Sequence, residues 1–201
     1  DGIIDPDGMR YASTKKVRST RKSAIVPAID LKPSQNRFGE NDAPPVLSIL
    51  GNPALLNRSC VGIVGARNAS LNGRKFAEKI SRELGQRGQV IASGLARGID
   101  TAAHQGSLET GTIAVVAGGI DVVYPEENQK LYEQIAERGA ILAESKFGQK
   151  PFAQSFPRRN RIVSGLSKGV VIVEATMKSG SLITARLAGE QGQNDNLRVR
   201  R

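Results

Sequence analysis

The sequence predicts an α/β protein built on a doubly wound, mainly parallel sheet. From residue 61 onwards, short apolar segments alternate with longer amphipathic segments, which is the pattern of strands joined by helices. Several of the apolar segments end in turns rich in glycine and serine. Helical crossovers make successive strands parallel, so we expect these turns at one edge of the sheet, where such folds bind ligands.

Composition limits the classes to which the chain can belong. Its 201 residues suffice for one sizeable domain, and aliphatic side chains must fill the core because only 4% of residues are aromatic. The net charge of +10 is spread along the chain, which predicts a polyanionic partner, nucleic acid first. The single Cys60 excludes an internal disulfide, and no apolar segment reaches membrane-spanning length, so we expect a cytoplasmic protein without a membrane partner.

The chain divides into three predicted parts. Residues 1–40 contain few apolar residues and no sustained period, and we expect them to form a basic, poorly structured arm. Residues 41–193 form the predicted main domain, which opens with a strand-like alternating segment at 46–50. Residues 194–201 are polar and basic, and we expect no further strand there.

Strands and helices are predicted in alternation within the main domain. The strands are expected at 61–65, 89–92, 112–117, 140–143 and 169–174. The helices are expected at about 71–87, 100–109, 125–138 and 157–168, with a last one ending near 190. Ser70 is the expected N-cap of the first helix, whose apolar face carries Phe76, Ile80 and Leu84.

The turn after the first of these strands suits an anion. Gly65 lets backbone N–H groups approach a phosphate, the following helix adds its positive end, and Arg67 offers a bidentate contact. The spacing is not the G-x-G-x-x-G of dinucleotide-binding proteins, and no acidic residue clearly follows the second strand at ribose-binding distance. Both observations disfavour NAD.

The second strand ends in a similar turn. Ser93, Gly94 and Arg97 are its candidate phosphate-binding residues. Asp100 is expected to cap the next helix rather than to act in catalysis, and His104 is expected to be packed or hydrogen-bonded. A zinc site is excluded because the chain has one histidine and one cysteine.

Two further turns complete the predicted edge. The candidates there are Gly118 and Gly119 after the third strand and Ser179, Gly180, Ser181 and Thr184 after the last one. No P-loop motif, nucleophile elbow or paired carboxylate spacing occurs, so we predict no catalytic residue, no metal and no cofactor. Glu144 and Glu174, near strand ends, are expected to pair with arginines.

An arginine-rich segment begins the predicted helix at 157–168. Phe156 is suited to stacking on a base, with Phe152 and Tyr124 as further candidates, and the segment adds Arg158, Asn160 and Arg161 as polar contacts. Together with Arg67 and Arg97, these cations suit several successive phosphates. Stacking needs exposed bases, which favours a single strand without base preference. A solvated helix start is the alternative for this segment alone.

Five segments in this order resemble the DNA-processing protein A (DprA/Smf) family: 61–67, 93–100, 124–125, 156–161 and 179–185. The resemblance covers about residues 42–193. It implies an extended Rossmann-like domain that binds single-stranded DNA without sequence specificity and has no catalytic turnover. It also implies that the protein protects DNA taken up in natural transformation, loads the RecA recombinase onto it and forms a homodimer.

The resemblance assigns roles to individual residues. Arg67 matches the family's phosphate contact, and Arg97 lies where the family carries Lys or Arg. The family's base-stacking and phosphate segment is matched by Phe156, Arg158, Asn160 and Arg161. Its final phosphate turn is matched by Ser179, Gly180, Ser181 and Thr184.

The chain departs from the family pattern after Gly192. The family continues with an arginine, a closing strand and a Pro-Gly turn that lead into its dimer and RecA-binding region, and we expect the closing strand to be missing here. The alternative function is a nucleotide-binding enzyme or carrier, of the kind of cytokinin-activating phosphoribohydrolases and molybdenum-cofactor carriers. Those proteins carry a Pro-Gly-Gly-x-Gly-Thr turn where this chain has Ser179-Gly180-Ser181.

Overall fold

The computed structural model describes residues 44 and 46–174 with their side chains, and the backbone of four short strands outside that range. The strands are β1 (Ile3–Ile4), β2 (Arg10–Tyr11), β3 (Ser23–Pro27), β4 (Val46–Gly51), β5 (Cys60–Gly65), β6 (Val90–Ser93), β7 (Thr112–Gly119), β8 (Ala140–Ser145), β9 (Val170–Val173) and β10 (Leu197–Val199). The helices are α1 (Leu71–Gln86), α2 (Ile99–Ser107), α3 (Gln129–Arg138) and α4 (Ser155–Leu166). Two 3-10 turns occupy Pro53–Asn57 and Glu126–Asn128.

One eight-stranded sheet organises the described residues. Its strand order is β10-β9-β5-β6-β7-β8-β4-β3. The six strands from β10 to β8 are parallel, whereas β4 and β3 join antiparallel at the far edge. The predicted doubly wound, mainly parallel α/β fold is therefore confirmed. The turns after β5, β6 and β7 lie at one edge, beyond the carboxyl ends of the parallel strands.

The two faces of the sheet are covered by different helices. α4 packs Ile162, Val163 and Leu166 onto one face, in a core that includes residues of β5, β7 and β9. α2 packs on the opposite face against β5 and β6, and α3 packs beside it against β7 and β8. Because both faces are buried, the central strands are almost continuously apolar, as in parallel sheets generally.

Helix α1 differs from the prediction in the face that it buries. Ser70 is the N-cap as predicted, and its hydroxyl accepts a hydrogen bond from the Gly73 backbone at 3.0 Å. The fully buried face carries only small residues, namely Gly73, Ala77, Ser81 and Gly85. Ile80 and Leu84 pack at the margin of the core, and Phe76 is 36% exposed. The cause is a close approach of α2, where a Cβ on Gly106 would collide with the carbonyl oxygen of Glu78.

Four strands lie where the sequence predicted none. β1 and β2 fall inside the predicted arm 1–40 and pair antiparallel with each other. β3 falls inside the same arm and pairs antiparallel with β4, and β10 falls inside the predicted tail 194–201 and pairs in parallel with β9. The expectation that residues 194–201 hold no further strand is therefore wrong. β3 and β10 are the two edge strands of the eight-stranded sheet, where pairing needs little burial and leaves a weak sequence signal. The three-part division of the chain stays a prediction, and the helix expected up to residue 190 lies outside the described residues.

Candidate nucleic-acid interface

A pocket of about 200 Å³ lies at the carboxyl edge of the parallel strands. We call it the edge pocket. Its polar and aromatic lining comes from four successive segments of the fold: Arg67, Gly94, Arg97, Gly118, Tyr124, Glu127, Phe156 and Arg159. The strand order β5-β6-β7 places the first three of these segments side by side, and α4 supplies the fourth. The predicted convergence of glycine-rich turns therefore produces one concave site.

The turns after β5 and β6 pack directly against each other. Gly98 has φ +75°, a conformation that favours glycine, and a Cβ there would collide with the carbonyl oxygen of Ala66. The backbone N–H of Ile99 donates to that same oxygen at 3.2 Å. This contact brings Arg67 and Arg97, which are both exposed, to the same rim of the edge pocket.

Phe156 is the aromatic centre of the pocket. It is half-buried near the start of α4, and the guanidinium carbon of Arg67 lies 4.8 Å from its ring centroid. The ring of Tyr124 lies 5.9 Å away, tilted by 52°, and Tyr124 is 49% exposed. Cation–π attraction holds the guanidinium against the ring. Flat guanidinium and aromatic groups therefore meet at one place, and these are the side-chain types that contact phosphates and stack on bases.

Arg159, which the sequence prediction did not select, is the buried cation of the pocket. It is 6% exposed, and its Nη1 donates to the Val115 carbonyl oxygen at 2.8 Å. Its Nε has no hydrogen-bond partner among the described residues. A Cβ at Gly94 would collide with the guanidinium, so the glycine leaves space for it. The helical period contained the signal, because Arg159 precedes the buried Ile162 and Val163 by three and four residues.

Asp100 compensates this buried charge. Its carboxylate accepts hydrogen bonds from the backbone N–H groups of Gly94 and Ala96, at 3.1 and 3.4 Å. The predicted capping role is wrong, because Gly98 is the N-cap of α2 and the carboxylate turns back to the preceding segment. Burial raises the pKa of Asp100, whereas the Arg159 guanidinium lowers it. Burial lowers the pKa of Arg159, and Asp100 opposes that shift. The Arg159 guanidinium therefore lies beside the pocket with the Asp100 carboxylate as its countercharge.

Arg158 and Arg161 lie outside the pocket lining and bind Glu144 instead. Arg158 forms a bidentate pair with Glu144 at 3.0 and 3.1 Å, and Arg161 also pairs with it. We call these three residues the Glu144 cluster. Spaced by three residues, the two arginines share a helix face that Arg159 does not. The prediction that Glu144 pairs with arginines is confirmed, whereas Glu174 accepts hydrogen bonds from Ser70 at the start of α1.

The remaining predicted site residues lie in different environments. Ser93 is fully buried, and its hydroxyl donates to the Ile63 carbonyl oxygen at 2.6 Å, so it is not presented to a ligand. Gly118 lines the pocket, whereas the N–H of Gly119 is already bonded to the Gln149 carbonyl oxygen at 2.8 Å. Asn160 is half-buried on α4. Ser179, Gly180, Ser181 and Thr184 lie outside the described residues.

The histidine and the cysteine belong to the core. His104 is fully buried with Nδ1 at 2.7 Å from the Thr112 hydroxyl, and burial lowers its pKa to about 3. Burial raises the pKa of Cys60 to about 12. The packed roles predicted for both residues are confirmed.

The part of the chain that the structure describes contains neither a metal cluster nor a membrane-spanning helix. No group of three or more His, Cys, Asp or Glu side chains there is arranged to hold a metal ion. Over the same residues, no helix is both long enough and apolar enough to cross a membrane.

Similarity to known proteins agrees with this geometry. The chain is 46% identical over 155 residues to the DNA processing protein DprA of Streptococcus pneumoniae, covering 76% of this chain and 55% of that protein. A solved structure of DNA processing protein A from S. pneumoniae superposes with a TM-score of 0.82 at 40% identity, covering 90% of this chain and 64% of that one. The chain spans about half the length of the curated relatives that it matches.

Two other solved structures resemble the chain to different degrees, one as a family relative and one in its fold alone. DNA processing protein A from Helicobacter pylori, solved in a study of its single-stranded DNA binding mode, has a TM-score of 0.82 at 31% identity, covering 90% of this chain and 82% of that one. The molybdenum cofactor binding protein of Rippkaea orientalis reaches a TM-score of 0.51 at 20% identity, covering 70% and 76%, which shows a shared fold alone. The model of one family, DNA recombination-mediator protein A, matches residues 31–195. The chain therefore belongs to the DNA recombination-mediator protein A family.

Proposed function

We propose that this protein binds single-stranded DNA at the edge pocket without sequence specificity. The main observation in support is the contact between Arg67 and Phe156, in which the guanidinium carbon lies 4.8 Å from the ring centroid. This contact lies on the rim of a pocket that Arg97 and Arg159 also line. A base stacked near Phe156 places its flanking phosphates within the field of these arginines. None of these groups reads a donor–acceptor pattern on a base edge, so we expect little base preference.

Charge and burial favour an anionic ligand. Three arginines and one glutamate, Glu127, are the charged side chains that line the pocket. Glu127 makes only a long contact with Arg97, at 3.7 Å between exposed side chains, and such pairs are weak in water. Arg159 is buried, where its interaction with a phosphate is screened less than at the surface. The pocket therefore presents a net positive charge to a ligand.

A single strand fits the site better than a duplex. The aromatic groups are useful only for a base whose face is accessible, and bases in a duplex are stacked on each other. The pocket of about 200 Å³ is also a local concavity rather than a long groove. The related H. pylori protein, of which this chain covers 82%, is described by its single-stranded DNA binding mode.

We extend the proposal to the biological role that the family resemblance implies. The protein protects incoming DNA in natural transformation and loads RecA onto it, as a homodimer in the cytoplasm. The support is family membership. We propose binding without turnover, because Asp100 and His104 are buried and engaged in the fold.

The nucleotide-binding enzyme or carrier is not favoured. Its support is a fold shared with a protein that is 20% identical, and a shared fold alone does not establish a shared function. Three arginines at one pocket also exceed the one or two cationic contacts that a mononucleotide needs.

Fluorescence anisotropy of labelled oligo-dT tests the proposal. We expect binding that weakens as salt increases and that an equal concentration of duplex displaces poorly. AMP serves as a competitor for the alternative, and cooperative thermal unfolding by circular dichroism shows that the sample is folded. A folded sample that does not bind oligo-dT, or that releases it to AMP as readily as to unlabelled oligo-dT, would overturn the proposal.

A further inference from the structure

The aromatic side chains of the described domain lie mostly outside its core. Of the six in residues 46–174, only Tyr132 belongs to a buried cluster. Phe147 and Phe152 are 39% and 51% exposed, and both lie in the loop between β8 and α4. Large aromatic side chains usually supply apolar area to a core or an interface. Two of them exposed in one short loop mark a contact surface.

The structure fixes this loop beside the edge pocket. The backbone N–H of Gly148 donates a bifurcated hydrogen bond to the two carboxylate oxygens of Asp121, at 2.8 and 3.0 Å. At the other end, the N–H of Phe152 donates to the Ser155 hydroxyl at 3.2 Å, and the N–H of Ser155 donates to the Phe152 carbonyl oxygen at 2.9 Å. Pro151, between these anchors, lines the edge pocket itself. The loop is thus a fixed continuation of the pocket wall.

The loop also carries cations. Lys146 precedes Phe147, and Lys150 lies two residues before Phe152. Lys146 and Lys150 are both exposed and form no ion pair with a described residue, in contrast to Arg158, which binds Glu144. Aromatic faces interleaved with positive charges are the features by which proteins hold single-stranded nucleic acid.

We infer that a bound single strand continues from the edge pocket across residues 146–152, the aromatic–lysine loop, with bases on Phe147 and Phe152 and phosphates at Lys146 and Lys150. The inference rests on the proposed function and extends it to a second contact surface. It also defines a length dependence. A short oligonucleotide fills the pocket alone, whereas a longer one reaches the loop.

The test compares oligo-dT of about four and about fifteen nucleotides, the range of site sizes for single-strand binders. The double variant Phe147→Ala/Phe152→Ala should bind the long oligonucleotide at least about fivefold more weakly than the wild type, because stacking contacts are lost. It should bind the short oligonucleotide as the wild type does. Phe76→Ala, which removes another exposed phenylalanine from α1, is the control and should change neither affinity.

Lysine variants test the phosphate contacts. Lys146→Gln/Lys150→Gln should reduce the salt slope for the long oligonucleotide by about 1.4, the value for two contacts on a single strand, and leave the short one unchanged. Lys75→Gln/Lys79→Gln has the same four-residue spacing on α1 and should leave both slopes unchanged.

The outcomes separate this inference from the proposed function. If Phe156→Ala weakens binding of both oligonucleotides but the loop variants behave as the wild type, the pocket binds DNA and the loop inference is wrong. An equal loss for both lengths in the loop variants would also overturn it. If the folded wild type binds neither oligonucleotide, the proposed function fails and the inference falls with it.

Discussion

The edge pocket and the Glu144 cluster both take arginines from the first turns of α4, yet they hold them in opposite environments. Arg159 is 6% exposed and lies beside the pocket with Asp100 as its distant countercharge. The side chain of Arg158 is 68% exposed and is bound by Glu144 in a bidentate pair. Adjacent residues on a helix point about 100° apart, so neighbours in sequence serve different surfaces. The number of arginines in a segment therefore overestimates the cations that a ligand meets.

The largest expected effect concerns Arg159. Arg159→Ala removes the donor to the Val115 carbonyl oxygen and leaves Asp100 buried without its countercharge, so we expect the free energy of unfolding to fall by about 3 kcal/mol. Arg158→Ala, which breaks a pair whose arginine is exposed, should lower it by less than about 1 kcal/mol. Urea denaturation of both variants measures the difference. If both variants had the same free energy of unfolding, Arg159 would contribute no more to stability than Arg158, which would contradict the difference between the edge pocket and the Glu144 cluster.

The next effect concerns Phe156. Phe156→Ala should weaken oligo-dT binding by roughly 1–3 kcal/mol, because a base loses its stacking partner. The slope of log affinity against log salt should stay the same, because no charge is removed. Anisotropy titrations at several salt concentrations measure both quantities, with Phe76→Ala as the exposed aromatic control. An unchanged affinity, or a changed slope, would disprove the stacking role.

The smallest effect compares the two classes of arginine directly. Arg67→Ala should reduce the salt slope by about 0.7, as expected for one phosphate contact on a single strand. Arg158→Ala should leave the slope unchanged, because Glu144 holds that guanidinium in a bidentate pair outside the lining of the edge pocket. Arg138→Ala is the control, because Arg138 ends α3 before β8 begins, at the opposite edge of the sheet, where it pairs with Glu109. A larger change for Arg158→Ala than for Arg67→Ala would assign the phosphates to the Glu144 cluster.

The fold was predictable because it follows from local pattern. The apolar segments that became β5 to β9 and the capping serine of α1 are visible in sequence, and right-handed crossovers then fix the parallel order. The small-residue face of α1 was not predicted, because glycine and alanine give no apolar signal and their burial depends on the approach of α2. The edge strands β3 and β10 were missed for a similar reason, since their pairing is decided by a neighbouring strand.

The sequence predicted where the site lies better than it predicted which residues form it. Arg67, Arg97 and Phe156 line one pocket because they follow strands or begin a helix at the same edge. Ser93 was selected for its residue type, but its side chain turns into the sheet and bonds Ile63. The sequence predicted that Glu144 pairs with arginines, but the choice of Arg158 reflects a contact between α4 and β8 that a linear sequence does not show.

Photochemical crosslinking tests the central claim most directly, because it locates the bound strand. Oligo-dT carrying 5-iododeoxyuridine, which couples readily to nearby aromatic side chains, is irradiated in complex with the protein, and the modified peptides are identified by mass spectrometry. Binding at the edge pocket predicts adducts on Phe156 or Tyr124 that unlabelled oligo-dT suppresses. Adducts confined to Phe76, or to other peptides remote from the pocket, would contradict it.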